Sequence, residues 1–139
     1  MQIEGLFLAE DAQVVDNKLY ATGGVPKSIQ VPRAGQLNDE GEMAAASYSL
    51  VTLMEFGPDD GTRPYRMTTE LVDAEGNKRV VADGEIIPVT SAPGAGAGEK
   101  CFSVSELRIN ADKDGRMMLV QTIDGGSSMS IPVTLHIVD

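Results

Sequence analysis

From Ile131 to Val138 the chain alternates without a break: Ile131, Val133, Leu135 and Ile137 point one way, Pro132, Thr134, His136 and Val138 the other. A period of two sustained over that length requires a strand with one buried and one solvated face. The same period returns at Tyr48, Leu50, Thr52, Met54 and Phe56, at Tyr65, Met67, Thr69 and Leu71, and at Met117, Leu119, Gln121 and Ile123. No stretch carries the apolar spacing of an amphipathic helix. The pattern predicts a small all-β, antiparallel protein.

At 139 residues the chain has room for one core, so residues 1–139 are read as a single domain. A chain of that size buries about two-thirds of its unfolded surface, enough for a sandwich without disulfide or metal. Hydrophobic residues make up 42% of it, which argues against disorder, but aromatics are only 4% and there is no Trp. Val, Leu, Ile, Ala and Met must therefore fill the core, and the seven Met serve as flexible gap fillers or as an adaptable contact surface.

A net charge of −10, with eleven scattered Lys and Arg, argues against nucleic acid and anionic membrane as partners. It leaves divalent cations as conceivable ligands. The single cysteine, Cys101, excludes an internal disulfide and gives no sign of an oxidising compartment. The start Met1-Gln2-Ile3-Glu4-Gly5 lacks the features of a secretion signal, and no apolar run approaches the roughly eighteen residues of a membrane span. The expectation is synthesis and residence in the cytoplasm.

Turn residues divide the chain. A strand is expected over residues 3–9, with Leu6 and Leu8 inward, followed by a hairpin around Asp16-Asn17-Lys18 that ends at Gly23-Gly24. Ile29 and Val31, between Pro26 and Pro32, suit an edge segment. Residues 33–42 carry no period and read as a surface loop. Residues 47–56 are apolar on both faces, as a central strand is. Gly57-Pro58-Asp59-Asp60-Gly61 is a turn, and strands follow over 65–73 and from 78 to about 89, the latter kinked at Gly84. Residues 91–98, rich in Ala and Gly, form a flexible loop. The strand over 101–109 slips in its alternation between Val104 and Leu107, as a bulge would produce. Asp112-Lys113-Asp114-Gly115 turns into a strand over 116–123, and Asp124-Gly125-Gly126-Ser127 closes the last hairpin onto 130–138. About seven to nine strands at roughly ten-residue spacing is the signature of a sandwich.

Few residues offer chemistry. The glycine-rich loop fails both phosphate-binding patterns at Glu99, and no helix follows it. Asn110, Asp112 and Asp114, before Gly115, resemble a calcium loop, but Asn replaces the first Asp and Gln121 stands where a bidentate Glu belongs. An Asp-Gly hairpin turn explains the same letters without metal. Asp59 and Asp60 with Asp73, Glu75 or Asp83 could pair for acid–base work only in a concave, dry site, and they fall in turns or on outward faces. His136, the only histidine, lies on the outward face of the last strand, and no serine stands in a nucleophile motif. Cys101 reads as an inert buried thiol. No catalytic residue, cofactor or firm metal ligand emerges, and the chain reads as a non-enzyme.

The stretch from Leu8-Ala9-Glu10-Asp11 through Val14-Val15-Asp16-Asn17-Lys18-Leu19-Tyr20-Ala21-Thr22 to Gly23-Gly24 resembles the opening of an uncharacterised bacterial and phage β-sandwich family, a domain of unknown function. Asp73-Ala74-Glu75-Gly76 after Tyr65-Arg66-Met67-Thr68-Thr69-Glu70-Leu71-Val72, and Val120-Gln121-Thr122-Ile123-Asp124-Gly125, fit the same family. The resemblance rests on turn residues. It implies an immunoglobulin-like sandwich and supplies no catalytic residues. The leading expectation is a structural or protein-interaction module that pairs with a protein partner or with itself. The resemblance extends that role to a phage virion component, capsid-decorating or tail-associated. The alternative is a domain binding a small ligand or glycan, or one assisted by calcium, through loops near Asp59-Asp60 or Asp112-Asp114.

Overall fold

The computed structural model describes residues 1–16, 18–57, 60, 63–87, 99–124 and 126–138, and among these it is all β. In chain order the strands are β1 (Gln2–Val15), β2 (Lys18–Gly24), β3 (Ser28–Val31), β4 (Ala46–Phe56), β5 (Tyr65–Val72), β6 (Lys78–Ile86), β7 (Glu99–Ile109), β8 (Gly115–Ile123) and β9 (Ser128–Ile137). They form a four-stranded sheet of order β2-β1-β4-β7 and a five-stranded sheet of order β3-β9-β8-β5-β6, packed as a β-sandwich. No helix among the described residues is long and apolar enough to cross a membrane.

Alternation places the residues as their periods require. Met117, Leu119, Gln121 and Ile123 of β8 are buried, and so are Val133 and Leu135 of β9, while Thr134 and His136 face solvent. On β4 both faces are covered. Leu50, Thr52 and Met54 point to the second sheet, and Val51 on the outer face lies opposite Phe7 of β1 and Val104 of β7. Low aromatic content is met by aliphatic packing: Leu8, Leu50, Leu107, Ile109 and Leu119 anchor the larger core cluster. Ile3, Met54, Tyr65, Met67 and Ile123 form a smaller one.

Between the two clusters runs a polar layer. Thr52 follows Leu50 and precedes Met54 on β4, Gln121 lies between Leu119 and Ile123 on β8, and Thr69 between Leu71 and Met67 on β5. The Thr52 hydroxyl donates to Gln121 Oε1 at 2.5 Å, and Gln121 Nε2 donates to Thr69 Oγ1 at 3.3 Å. All three are buried, so these bonds satisfy groups that would otherwise be costly in an apolar interior.

Four expectations are corrected. The ladders are antiparallel except one: β3 runs parallel to β9, with Ile29 beside Leu135 and Val31 beside Ile137. β3 is an edge strand flanked by Pro26 and Pro32; β2 runs away from the β1–β2 hairpin turn, so the chain that crosses after it to the other sheet returns toward that end, the direction in which β9 also runs. The first strand does not stop at residue 9 but continues to Val15. The bulge expected between Val104 and Leu107 is absent, since β7 pairs with β4 in unbroken register from Ile109 to Glu99. Residues 101–105 are half-buried on both faces of this edge strand, which blurs their alternation without shifting register. In β6 the register shift lies opposite Thr69 and Glu70, between Val80 and Ala82, rather than at Gly84. The Ala/Gly loop at 91–98, residues 88–90, Asn17, Pro58, Asp59, Gly61 and Gly125 lie outside the described residues.

Candidate interaction face at one end of the sandwich

Strand directions bring the β1–β2 hairpin, residues 32–45 between β3 and β4, the 73–77 turn, the 110–114 loop and the exit of β9 to one end of the sandwich. That end is where the surface departs most from a bland polar skin. Among the described residues, nine large hydrophobics are exposed, and six of them, Val14, Val15, Tyr20, Leu37, Met43 and Val138, belong to these segments. Concentration of exposed apolar groups at one end marks a contact surface, where scattered ones would not.

The hairpin is its most prominent part. β1 pairs with β4 only as far as Ala9 opposite Ser49, and residues 10–15 pair with β2 alone. At about 3.3 Å per residue these six carry the ribbon roughly 20 Å past the last pair with β4. No described residue of 10–24 belongs to either core cluster. Ala12 faces Ala21 and Val14 faces Leu19 across the ribbon, giving one apolar face; Asp11 with Thr22, Gln13 with Tyr20 and Val15 with Lys18 form the other. Asp16 adopts φ 52° at the tip, which a short polar side chain tolerates in a tight hairpin turn. A two-stranded ribbon without a covering layer is marginal in water.

The segment between β3 and β4, of which residues 33–42 are expected as a surface loop, is tied down. Ala34 N donates to Ala111 O, and Ala111 N to Pro32 O, so the loop is stitched to the start of the 110–114 segment. Asn38 Oδ1 accepts from the backbone N–H of Glu40 and Glu42, and an isolated bridge joins Leu37 and Met43. Two exposed apolar side chains are thus presented beside Asp39, Glu40 and Glu42 on an ordered tip.

Across the same end, Leu71, Ala111 and Met117 floor a depression of about 240 Å³ rimmed by Lys78, Arg79 and Lys113 with Asp73 and Asp112. Here the calcium candidates are placed. Asn110 Oδ1 accepts from Arg79 Nη1 at 2.9 Å, and Arg79 Nη2 donates to the Asn110 carbonyl. A guanidinium thus occupies the oxygens that a cation would need. Asp112 accepts from Arg33 through its backbone oxygen at 3.3 Å. Asp114 Oδ1 accepts from Ile137 N at 2.7 Å, and its Oδ2 lies 3.7 Å from Nδ1 of exposed His136. Asp114 therefore pins the exit of β9 to the entry of β8. Gly115 takes φ 144°, where any side chain would be strained, and Gln121 is in the core, far along β8. Among the described residues no group of three His, Cys, Asp or Glu could hold a metal.

The other acids are dispersed. Asp73 Oδ1 accepts from Glu75 N and Asn77 N and its Oδ2 from Asn77 Nδ2, which together hold its carboxyl below the usual range, Asn77 contributing most. Glu75 pairs with Lys113 at 3.2 Å. Asp83 binds the Arg66 guanidinium on the solvent face of β5 and β6, and this lowers its pKa. Asp60 is held low by the amino group of Met1, 2.5 Å away. Sequence reasoning missed one carboxylate pair: Glu55 is pushed up by a hydrogen bond with Glu4, then by burial. The β1 register shift between Ile3 and Gly5 brings it about, and no alternation pattern foretells that. Cys101 is half-buried in the edge strand β7.

No family model, no curated protein and no solved structure matches this chain.

Proposed function

We propose that this protein is a non-enzymatic structural module of immunoglobulin-like topology that binds another protein through its hairpin-bearing end. The observation that carries the reading is the β1–β2 ribbon: beyond Ala9 it is no longer paired with β4, its described residues contribute to neither core cluster, and it exposes Val14, Val15 and Tyr20. Such a ribbon costs conformational entropy that its own contacts return poorly, and burial against a partner offsets that cost. Loop ends of sandwiches are common sites of recognition.

Strand order supports the immunoglobulin-like assignment. β4, β5, β6, β7, β8 and β9 occupy the places of strands B, C, C′, E, F and G, with β1 beside β4. The Thr52–Gln121 hydrogen bond joins β4 to β8, the two strands that an inter-sheet disulfide joins in antibody domains. The resemblance to a phage family directs the proposed role toward a virion surface.

The test is co-sedimentation of the full chain with the assemblies of its host, wild type against Val14→Asp with Tyr20→Asp. Retention of the wild type and release of the variant is the expected result. Equal behaviour of the two would remove the hairpin from the contact.

A further inference from the structure

We infer that two copies of this chain join edge to edge along β7, antiparallel about a two-fold axis at Ser103, so that the four-stranded sheet continues through both. The contact goes beyond the hairpin reading, since β7 is the margin of that sheet opposite β2.

An exposed sheet edge invites another strand, and proteins blunt edges with short length, proline, bulges or charge. β3 has four residues between Pro26 and Pro32. β6 shifts register between Val80 and Ala82 and bears Lys78, Arg79, Asp83 and Glu85. β2 has seven residues and ends in Gly23-Gly24. β7 differs from all three: its eleven residues include no proline or glycine, they pair with β4 in unbroken register, and residues 101–105 carry no charge. Among the described residues no strand pairs with its other side. A cleft of about 250 Å³, whose lining includes the small residues Ala82, Gly84, Ser103 and Ser105, separates it from β6 of the facing sheet.

The order of residues along β7 selects a second copy as the occupant. Antiparallel pairing about Ser103 sets Lys100 opposite Glu106 and Phe102 opposite Val104, each twice, on the outer face. On the inner face Ser103 meets itself and Cys101 meets Ser105, so only small side chains adjoin there. Opposite charges, and an aromatic beside a β-branched residue, are cross-strand pairs that stabilise an antiparallel ladder. Lys100 and Glu106 are exposed, and Phe102 and Val104 are half-buried. Lys100 stands opposite Glu55 of β4, and Glu106 accepts from Ser47 Oγ at 3.3 Å, but neither forms an ion pair among the described residues. The outer apolar row Phe7, Val51, Val104 then continues into Phe102 and Leu53 of the second copy.

Neighbouring alignments lose this match. Centred on Val104, Lys100 faces Arg108 and Phe102 faces Glu106; centred on Phe102, Lys100 faces Val104 and Glu106 passes the start of β7. An axis between two residues would set inward side chains against outward ones. Because the two β7 strands run in opposite directions, the two hairpin ends point away from each other and stay free.

The experiment measures the mass of the full chain by sedimentation equilibrium, with circular dichroism to check that each variant folds. The wild type is expected at twice the chain mass, Glu106→Lys at the chain mass, and Glu106→Lys with Lys100→Glu again at twice the chain mass, because the exchanged charges face each other. In a Cys101→Ser background under mild oxidation, Ser103→Cys is expected to form a disulfide-linked dimer, its Cα atoms lying about 5 Å apart across the axis. Ser105→Cys in that background should remain unlinked, since four residues, roughly 13 Å, then separate the two sulfur-bearing positions. The hairpin variant Val14→Asp with Tyr20→Asp should stay dimeric, which separates this contact from the one at the hairpin end. A monomeric wild type overturns the inference. So does a dimer untouched by Glu106→Lys, a double variant that stays monomeric, linkage at 105 as ready as at 103, or loss of the dimer in the hairpin variant.

Discussion

The hydroxyl of Thr52 on β4 and Oε1 of Gln121 on β8 are 2.5 Å apart, so a hydrogen bond crosses from one sheet to the other through the middle of the core. Gln121 also reaches Thr69 on its own sheet, its register partner on β5. A polar layer thus separates two apolar clusters at the same level on three strands. Mispairing these strands by one residue would turn Gln121 outward and break the layer, so the layer favours one alignment of the sheets.

Gln121→Ala is expected to cost about 3 kcal/mol, combining a cavity with two stranded threonine hydroxyls. Replacing the whole layer, Thr52→Val, Thr69→Val and Gln121→Met, should fall within about 1.5 kcal/mol of wild type, because no buried donor or acceptor then lacks a partner. Urea unfolding measures both. A triple variant as unstable as Gln121→Ala would show that the layer does more than satisfy itself.

The ribbon should open independently of the sandwich. Amides at residues 10–15 and 18–24 are expected to exchange with solvent through low-cost local opening, while those of Val51 and Leu119 exchange only on global unfolding. Hydrogen exchange followed by mass spectrometry resolves the two. Equal protection in ribbon and core would contradict the ribbon's isolation.

Acid should destabilise the fold through Asp73 and Asp83. Both carboxyls titrate below their ordinary 3.8 in the folded protein, Asp73 chiefly through Asn77 and Asp83 chiefly through Arg66. A lowered folded value means that the unfolded chain takes up protons first, so the contribution is present above about pH 3.8 and is lost as pH falls through the folded values. Asp73→Asn and Asp83→Asn should each flatten the fall of Tm with pH over that range. Both groups are exposed, so each effect is small.

Glu55 has the opposite sign. Its hydrogen bond with Glu4 raises it above its ordinary 4.5, so its contribution is present below that value and is lost as pH rises through the folded value. Glu55→Gln is therefore expected to raise Tm at neutral pH and to leave it unchanged below about pH 4, where the carboxyl is protonated in both states. A lower Tm at neutral pH would show that the ionised pair is not repulsive.

Calcium should leave Tm unchanged, because Arg79 holds both oxygens of Asn110 and Ile137 N holds Asp114. Differential scanning calorimetry with calcium and with chelator checks this. A calcium-dependent rise in Tm would show that the guanidinium yields its place.

Alternation by itself determined much of this protein. A side chain two positions on shares its face, so Leu135 and Leu119 announce buried positions from local spacing alone, and Asp16 and the glycine pair Gly23-Gly24 announce a turn and a strand end. Neighbours across the sheet are a different matter, because pairing joins residues far apart in the chain. Gln121 reads as polar inside an apolar run, and only Thr52, 69 positions away, makes it a core residue. Ile29 reads as an edge residue, but its parallel alignment with Leu135 depends on where β9 already lies. Residues 10–15 continue a strand whose partner β4 pairs with it no further than Ala9, and Lys78 and Lys113 share one depression only because β5, β6 and β8 converge there. Local stereochemistry sets which way a side chain points; closure of the sheets decides what it meets.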